Sequence, residues 1–504
     1  MGFYHSTRSA SPTFTSKEAI RRGIAPDGGL FVSDDLGGTT IDISTLADKD
    51  YPTLAREVMG ALLPDYSADE IAACVDEAYT GTFASSEVTP LMPLSQAPNA
   101  DGTPTYVMEL FGGPTSAFKD VALQMLPRLM ARTAGAEGER IMIVTATSGD
   151  TGKAALAGFA DAPGCGITVF YPEGKVSHVQ NLQMSTQEGA NVAVCAVRGN
   201  FDDAQTAVKQ IFANKELGER LAANGTILSS ANSINVGRLV PQVVYYFAAY
   251  AQLLRAGAIQ VGDAVEFCVP TGNFGDILAG YYAKRMGLPV AKLLVASDKN
   301  NVLADFLATG TYDRERPFYT TTSPSMDILV SSNLERMLYY LADGDCELVA
   351  DLMSKLTDEG NYQIPTELLE RIRTVFDGGW ADEDQVAAAI RRCWNENGYV
   401  IDPHTACGYH VMEQTAAVEG TACRVLLSTA SPYKFPKAVA EALGLFCPPD
   451  DFACMEVLAK HTGTTAPVQL AELKTKPVRF EDVVDVADMG SYVEQAANRI
   501  AEEA

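Results

Sequence analysis

The chain has 504 residues, room for about two to four domains and a large core that needs no disulfide staples. Hydrophobic residues make up 47% and charged residues 20%, the balance of a globular rather than a disordered protein. A net charge of −26 speaks against a nucleic-acid or anionic-membrane partner, so any anion must be held locally, by helix N-termini and a few placed cations.

Residues 1–14 lack the apolar stretch of a signal peptide. Residues 1–95 read as a small N-terminal domain, with a short helix over 16–22, a turn at Ala25-Pro-Asp-Gly-Gly29 and amphipathic helices over 51–63 and 67–79. Residues 94–105, with Pro98, Asn99, Asp101, Gly102 and Pro104, are the linker candidate. Beyond it, 96–477 reads as one α/β region of two subdomains. Strands are expected at 141–147, 167–171, 191–197, 265–269, 293–296 and 424–427, with helices starting at Lys153 and covering 277–286. Such alternation predicts parallel sheets with helices on both faces. The apolar stretch 239–254 is short and holds Pro241 and Gln242, so no membrane span is expected. Residues 331–382 are expected as a helical insertion decorating the core, and 478–504 as a C-terminal helical tail with a solvated acidic face. Ten scattered cysteines without a CxxC pair are expected to be small buried hydrophobes of a reducing compartment, and the protein cytoplasmic.

Two junctions place glycines where a strand hands over to a helix: Ser148-Gly-Asp-Thr-Gly152 and Thr271-Gly-Asn-Phe-Gly-Asp276. Glycine lets the backbone approach a ligand, and the first N–H groups of the helix then favour an anion. Neither loop is GxGxxG or a Walker sequence, and either alone also fits an ordinary tight turn. Lys119 closes the block Phe111-Gly-Gly-Pro-Thr-Ser-Ala-Phe-Lys-Asp120 at the start of an amphipathic helix. Apolar walls and helix N–H groups disfavour its charged form, which suits Schiff-base chemistry; snorkelling to the surface is the plainer alternative. Residues 230–238 gather Asn232, Ser233 and Arg238, a guanidinium with amide and hydroxyl donors suited to phosphate. Residues 428–435 place hydroxyls at a strand end. His404, Cys407 and His410 stand at i, i+3 and i+6, but on a helix the outer two diverge by about two-thirds of a turn, so no metal is expected.

Together these elements resemble the threonine synthase family, in the long form of bacteria and fungi. The likeness covers nearly the whole chain. Tyr4-His-Ser-Thr-Arg8 and Gly23-Ile-Ala-Pro-Asp-Gly-Gly-Leu-Phe31 are similar to the family's N-terminal segment, and Gly113-Pro-Thr-Ser-Ala-Phe-Lys-Asp120 to its cofactor-lysine segment. Thr271–Asp276 is similar to its cofactor-phosphate loop; Thr145-Ala-Thr-Ser-Gly-Asp-Thr-Gly152 and Asn232-Ser-Ile-Asn-Val-Gly-Arg238 resemble its substrate-binding segments. Asp402-Pro-His-Thr-Ala406 is also family-like and favours a structural His404. Where the family often has Thr-Ala-His-Pro, this chain has Thr429-Ala-Ser-Pro432.

The resemblance implies an α/β fold with parallel-sheet domains of pyridoxal-phosphate fold type II, like the tryptophan synthase β subunit, with a small N-terminal domain. It implies pyridoxal 5′-phosphate as cofactor and conversion of O-phospho-L-homoserine and water to L-threonine and phosphate, by a monomer or homodimer. Lys119 would form the Schiff base and act as general base. Gly272, Asn273, Phe274, Gly275 and Asp276 would cradle the cofactor phosphate, Phe118 and Phe274 would wall the ring, Thr429 would face the pyridine nitrogen and Asp150 the phenolic oxygen. Ser148, Thr151, Asn232, Ser233 and Arg238 would bind substrate, with Lys153 an extra cation. A phospholyase yielding a 2-oxo acid shares these motifs. A non-catalytic homologue is the other alternative, and the intact Lys119 argues against it.

Overall fold

The structure is a computed structural model that describes residues 3–133, 139–147 and 149–503. Two sheets organise it. One has six strands, in the spatial order Phe376–Trp380, Val290–Ser297, Ala264–Pro270, Thr421–Ser428, Thr105–Glu109 and Leu91–Pro93. All its neighbours are parallel except the last pair. The other has five strands, all parallel, in the order Val483–Asp485, Val192–Arg198, Cys165–Pro172, Arg140–Ala146 and Thr226–Ser229. Every residue of Cys165–Pro172 is buried, which is why these strands read as unbroken apolar runs rather than alternating ones.

All six predicted strands form, and the helix predicted from Lys153 begins three residues earlier, as Asp150–Phe159. Asp150 and Thr151 therefore lie in its first turn. The apolar stretch near 239–254 is helix Val236–Arg255, which packs against helices Lys119–Ala131, Gly275–Arg285 and Tyr51–Leu62. No helix among the described residues is long and apolar enough to cross a membrane.

Four expectations change. Residues 94–104 join Leu91–Pro93 to Thr105–Glu109, which pair antiparallel, so the Pro- and Gly-rich stretch is a connection within one sheet and not a linker. Residues 331–382 carry two strands besides their helices, and Phe376–Trp380 is an edge of the six-stranded sheet. The C-terminal tail contributes the edge strand Val483–Asp485. Its helix Met489–Glu503 buries Met489, Val493, Ala496, Ala497 and Ile500 in the core of the five-stranded sheet. Cys447 and Cys454 are joined in a disulfide across Cα atoms 5.3 Å apart; the other eight cysteines are free, and all but Cys346 are buried.

The N-terminal segment forms a three-stranded antiparallel sheet, with Tyr4–Ser6 between Ser9–Phe14 and Phe31–Ser33. It is fastened to helix Leu334–Leu341 through Glu335, which accepts from Thr7 Oγ1 at 2.5 Å and from Arg8 Nε and Nη2 at 2.9 Å.

Candidate active site

Lys119 owes its position to two clamps. The Asp120 carboxylate accepts from Thr115 N at 2.8 Å and Thr115 Oγ1 at 2.6 Å, curling the segment before the helix into a tight loop. Phe118 N then donates to Thr429 O at 2.8 Å and Ser431 N to Ser116 O at 3.1 Å, pinning that loop to the end of strand Thr421–Ser428. Lys119 emerges in a buried place, its Nζ 4.8 Å from the centre of the Phe118 ring and 3.1 Å from Ser325 Oγ. Burial pushes its amine down to about 8; Lys434 and Arg238 push the same way, against the charge of Asp150.

Asp150 Oδ2 lies 4.0 Å from Lys119 Nζ, and Asp150 Oδ1 lies 2.6 Å from the fully buried Lys434 Nζ. Burial opposes its charge, and Lys434 and Lys119 overcome that, holding the carboxyl below the usual range. The turn before it is shaped by Thr147, whose Oγ1 accepts from Gly149 N and Gly152 N, each at 3.0 Å. Gly149 sits at φ +156°, and a Cβ there would come within 2.3 Å of the Gln180 side chain. Ser148 lies outside the described residues.

The second loop has its carbonyls taken. Ser331 Oγ donates to Gly272 O at 2.6 Å, and Asn333 N and Nδ2 donate to Asn273 O at 3.0 and 3.1 Å. Phe274 adopts the left-handed conformation at φ +61° and turns the chain into helix Gly275–Arg285. The N–H groups of Gly272, Asn273, Phe274 and Gly275 donate to no group among the described residues. They form an anion cradle at a helix start. This suits the phosphate of a cofactor linked to Lys119. A Cβ on Gly272 would meet Ser325 O at 2.9 Å. Gly272→Val is therefore expected to lower cofactor affinity by at least about tenfold while the far-ultraviolet circular dichroism stays that of wild type. Fluorescence titration of the full-length protein with pyridoxal phosphate measures it, and unchanged affinity would make this loop an ordinary turn.

Two predicted contacts of this loop go elsewhere. The Phe274 ring, expected to wall the cofactor, is buried in the core and packs on Phe376, centroids 5.4 Å apart. The Asp276 carboxylate accepts from Tyr245 at 2.5 Å and Tyr246 at 3.1 Å, and burial pushes it up to about 7.

Arg238 is a buried cation without a carboxylate partner. It gives Nη1 to Ala231 O at 3.0 Å, and its Nε has no partner. Burial pushes it down to about 10, with no carboxylate raising it. Asn232 Oδ1 accepts from Thr145 Oγ1 at 3.2 Å, and Ser233 O accepts at 3.2 Å from Asn333 Nδ2, the same amide that holds Asn273 O. Asn333 thus ties the two loops together. It is held in turn by the fully buried Arg336, which donates Nη1 to Asn333 Oδ1, Nη2 to Ile234 O at 2.6 Å and Nε to Phe31 O at 2.9 Å. Lys153 bonds outside this group. Its Nζ donates to Gln187 Oε1 at 2.6 Å in a cavity of about 290 Å³ that also holds Lys476 and Gln469.

Lys434, Ser325, His404, Asn333 and Arg336 were not among the predicted site residues. Lys434 lay within a segment already singled out for its hydroxyls. His404, read as structural, has both ring nitrogens engaged: Nδ1 with Asp402 Oδ2 at 2.6 Å, and Nε2 accepting from Ser325 N at 3.2 Å.

Comparison with known proteins gives the family. Family models match residues 84–428 as "Pyridoxal-phosphate dependent enzyme", 3–79 as "Threonine synthase N terminus" and 405–493 as "Threonine synthase, C-terminal". The chain is 39% identical to threonine synthase of Schizosaccharomyces pombe, covering 88% of this chain and 90% of that one. It is 40% identical to human "Threonine synthase-like 1" over 84% of its length, and spans 58% of that longer protein. The crystal structure of pyridoxal-phosphate-bound threonine synthase from Brucella melitensis superposes with a TM-score of 0.86 at 37% identity, covering 99% of this chain and 100% of that one.

The fold and the family model define a pyridoxal-phosphate-dependent enzyme of fold type II. Its cofactor is pyridoxal 5′-phosphate. The chain belongs to the threonine synthase family.

Proposed function

We propose that the chain converts O-phospho-L-homoserine and water to L-threonine and phosphate. The observation that carries this is a second anion site. The Gly272–Gly275 cradle is enough for one phosphate, and the buried Arg238 guanidinium, lacking any carboxylate, calls for another. Substrates of dehydratases carry no such second anion. The names of the relatives support the same reading.

Bound pyridoxal phosphate would supply the electron sink that makes protons at the substrate's Cα and Cβ removable. Gly272, Asn273, Phe274 and Gly275 would hold its phosphate with their N–H groups and Lys119 would hold it covalently, with Phe118 beside the lysine. Thr429 would sit by the ring nitrogen, its backbone already tied to Phe118. Burial pushes the Lys119 amine down to about 8 in the free protein, which suits a group that must give up its proton to act as a base. Lys119 would take the protons at Cα and Cβ, deliver one at Cγ where the phosphate leaves, and return one at Cα once water has added at Cβ. Arg238, with Thr151, Asn232 and Ser233, would grip the substrate phosphate and keep it near Cβ as it leaves, where it can orient the attacking water. In this reading the enzyme works in the cytoplasm on a small molecule, as a monomer or homodimer.

Product analysis tests it. With O-phospho-L-homoserine the purified protein is expected to release phosphate and threonine in equal amounts. Phosphate accompanied by a 2-oxo acid and ammonia would replace the proposal with a phospholyase. Neither product from cofactor-loaded protein would refute it.

A further inference from the structure

Between Lys119 and Asp150 stands a hydroxyl. Ser325 lies on the short turn Pro324–Met326, far from both in sequence. Its Oγ donates to Asp150 Oδ2 at 3.1 Å and accepts from Lys119 Nζ at 3.1 Å. Its own N–H donates to His404 Nε2 at 3.2 Å, and His404 Nδ1 is 2.6 Å from Asp402 Oδ2. Asp402 and His404 are buried. The turn is also braced on its other face, since Ser325 O packs against Gly272.

We propose that Ser325 is a further catalytic residue, the hydroxyl that aims the Lys119 amine, and that His404 and Asp402 are positioning residues that hold it there. The proposal rests on the general-base role of Lys119 given above.

Direction is the heart of it. A serine hydroxyl has one proton to give. Here that proton goes to the Asp150 carboxylate, the strongest nearby acceptor. Ser325 Oγ can then only accept from Lys119. The amine spends an N–H on serine and keeps its lone pair for the substrate proton. Without the hydroxyl, the nearest anion is Asp150 itself, 4.0 Å from the amine, and nothing fixes the direction of the lone pair.

The serine has to be held, and the histidine does that. An imidazole nitrogen that accepts an amide N–H carries no proton, so the ring's proton sits on Nδ1, facing Asp402. The carboxylate thus fixes the tautomer, and the tautomer fixes the turn. Asp402 also accepts from His404 N at 2.9 Å and Thr405 N at 3.1 Å, capping helix Pro403–Gln414, so the histidine rises from a rigid base.

The groups facing the amine come from every side: Asp150 and Ser325 in front, Lys434 and Arg238 lowering its proton affinity, Asp120 on its own helix and Asp276 on the helix after the cradle. Ser325, polarised by Asp150, favours the ammonium form. Its removal therefore moves the amine's titration to lower pH.

The test has two arms on the full-length protein. In cofactor-loaded enzyme, Ser325→Ala is expected to lower kcat about 100-fold with KM within about threefold of wild type, the size of effect that misaligned reacting groups produce. Ser325→Thr keeps the hydroxyl and is expected to recover most of it. His404→Ala is expected to give an intermediate loss. In protein freed of cofactor, acetylation of Lys119 by acetic anhydride is followed against pH by peptide mass. The wild-type midpoint is expected near 8, and that of Ser325→Ala lower. A merely structural serine would change stability or cofactor affinity and leave the Lys119 midpoint in place. An unmoved midpoint with unchanged kcat overturns the proposal. If wild type yields no threonine while the midpoint still moves, the substrate assignment fails and the role of Ser325 stands.

Discussion

Lys119→Ala is expected to abolish turnover and the visible absorption of the lysine-linked cofactor, with phosphate-dependent cofactor binding reduced but still measurable. The structure contains a sharper form of this experiment, because a second buried lysine lies close by. Lys434 Nζ is 2.6 Å from Asp150 and is tied up as an ion pair. Lys119 Nζ is 4.0 Å away, and burial pushes its amine down to about 8. A nucleophilic amine must be able to lose its proton, which singles out Lys119. Borohydride reduction of the loaded protein followed by peptide mapping is expected to leave the cofactor on the Lys119 peptide alone. A tag on the Lys434 peptide would reverse the assignment of the two.

Arg238→Ala is expected to lower kcat/KM by about 30-fold to several-thousand-fold, the roughly 2–5 kcal/mol lost when one partner of a buried charge pair is truncated. The substitution is clean. Arg238 has no carboxylate partner, so its loss leaves no stranded negative charge behind. The fold is expected to survive, and the cofactor to stay bound, since its phosphate belongs to the Gly272–Gly275 cradle. Arg238→Lys is expected to recover only part of the loss, because a point charge does not replace the planar fork. Inorganic phosphate is expected to compete with substrate in wild type and much less in Arg238→Ala. Steady-state kinetics with and without phosphate reads both. If Arg238→Ala loses cofactor instead and keeps its phosphate inhibition, the two anion sites have been exchanged.

What could be read from the sequence was what sits in short contiguous segments. The strand–loop–helix junctions and the block around Lys119 carry their chemistry within ten residues or so, and the structure brings Asp150 and Arg238 close enough for both to bear on the Lys119 amine. Ser325, His404 and Asn333 could not be read that way. Ser325 meets Lys119 across 206 residues and His404 across 79, and Asn333 meets Ser233 across 100. No local pattern marks a hydroxyl or an amide that works only through such pairings. The C-terminal helix is different, because the signal was present and outweighed. Met489, Val493, Ala496, Ala497 and Ile500 fall at i, i+4, i+7, i+8 and i+11, one face of a helix, while the acidic composition drew attention to the other face. The stretch 94–104 misled in the opposite way: proline and glycine mark a bend, and whether the bend separates domains or turns a strand back depends on what pairs across it.

Arg336 has a thermodynamic consequence. One buried guanidinium bonds the N-terminal sheet at Phe31, the 230–238 segment at Ile234 and, through Asn333, the Gly272–Gly275 loop. Whatever one of these arrangements contributes to the stability of another through this guanidinium it receives back in equal measure, since coupling free energies are reciprocal. Residues 3–33 are therefore expected to exchange their amide hydrogens more slowly in cofactor-loaded protein than in stripped protein. The same reciprocity makes the first strands of the chain part of the affinity for pyridoxal phosphate, although they lie more than two hundred residues before its cradle.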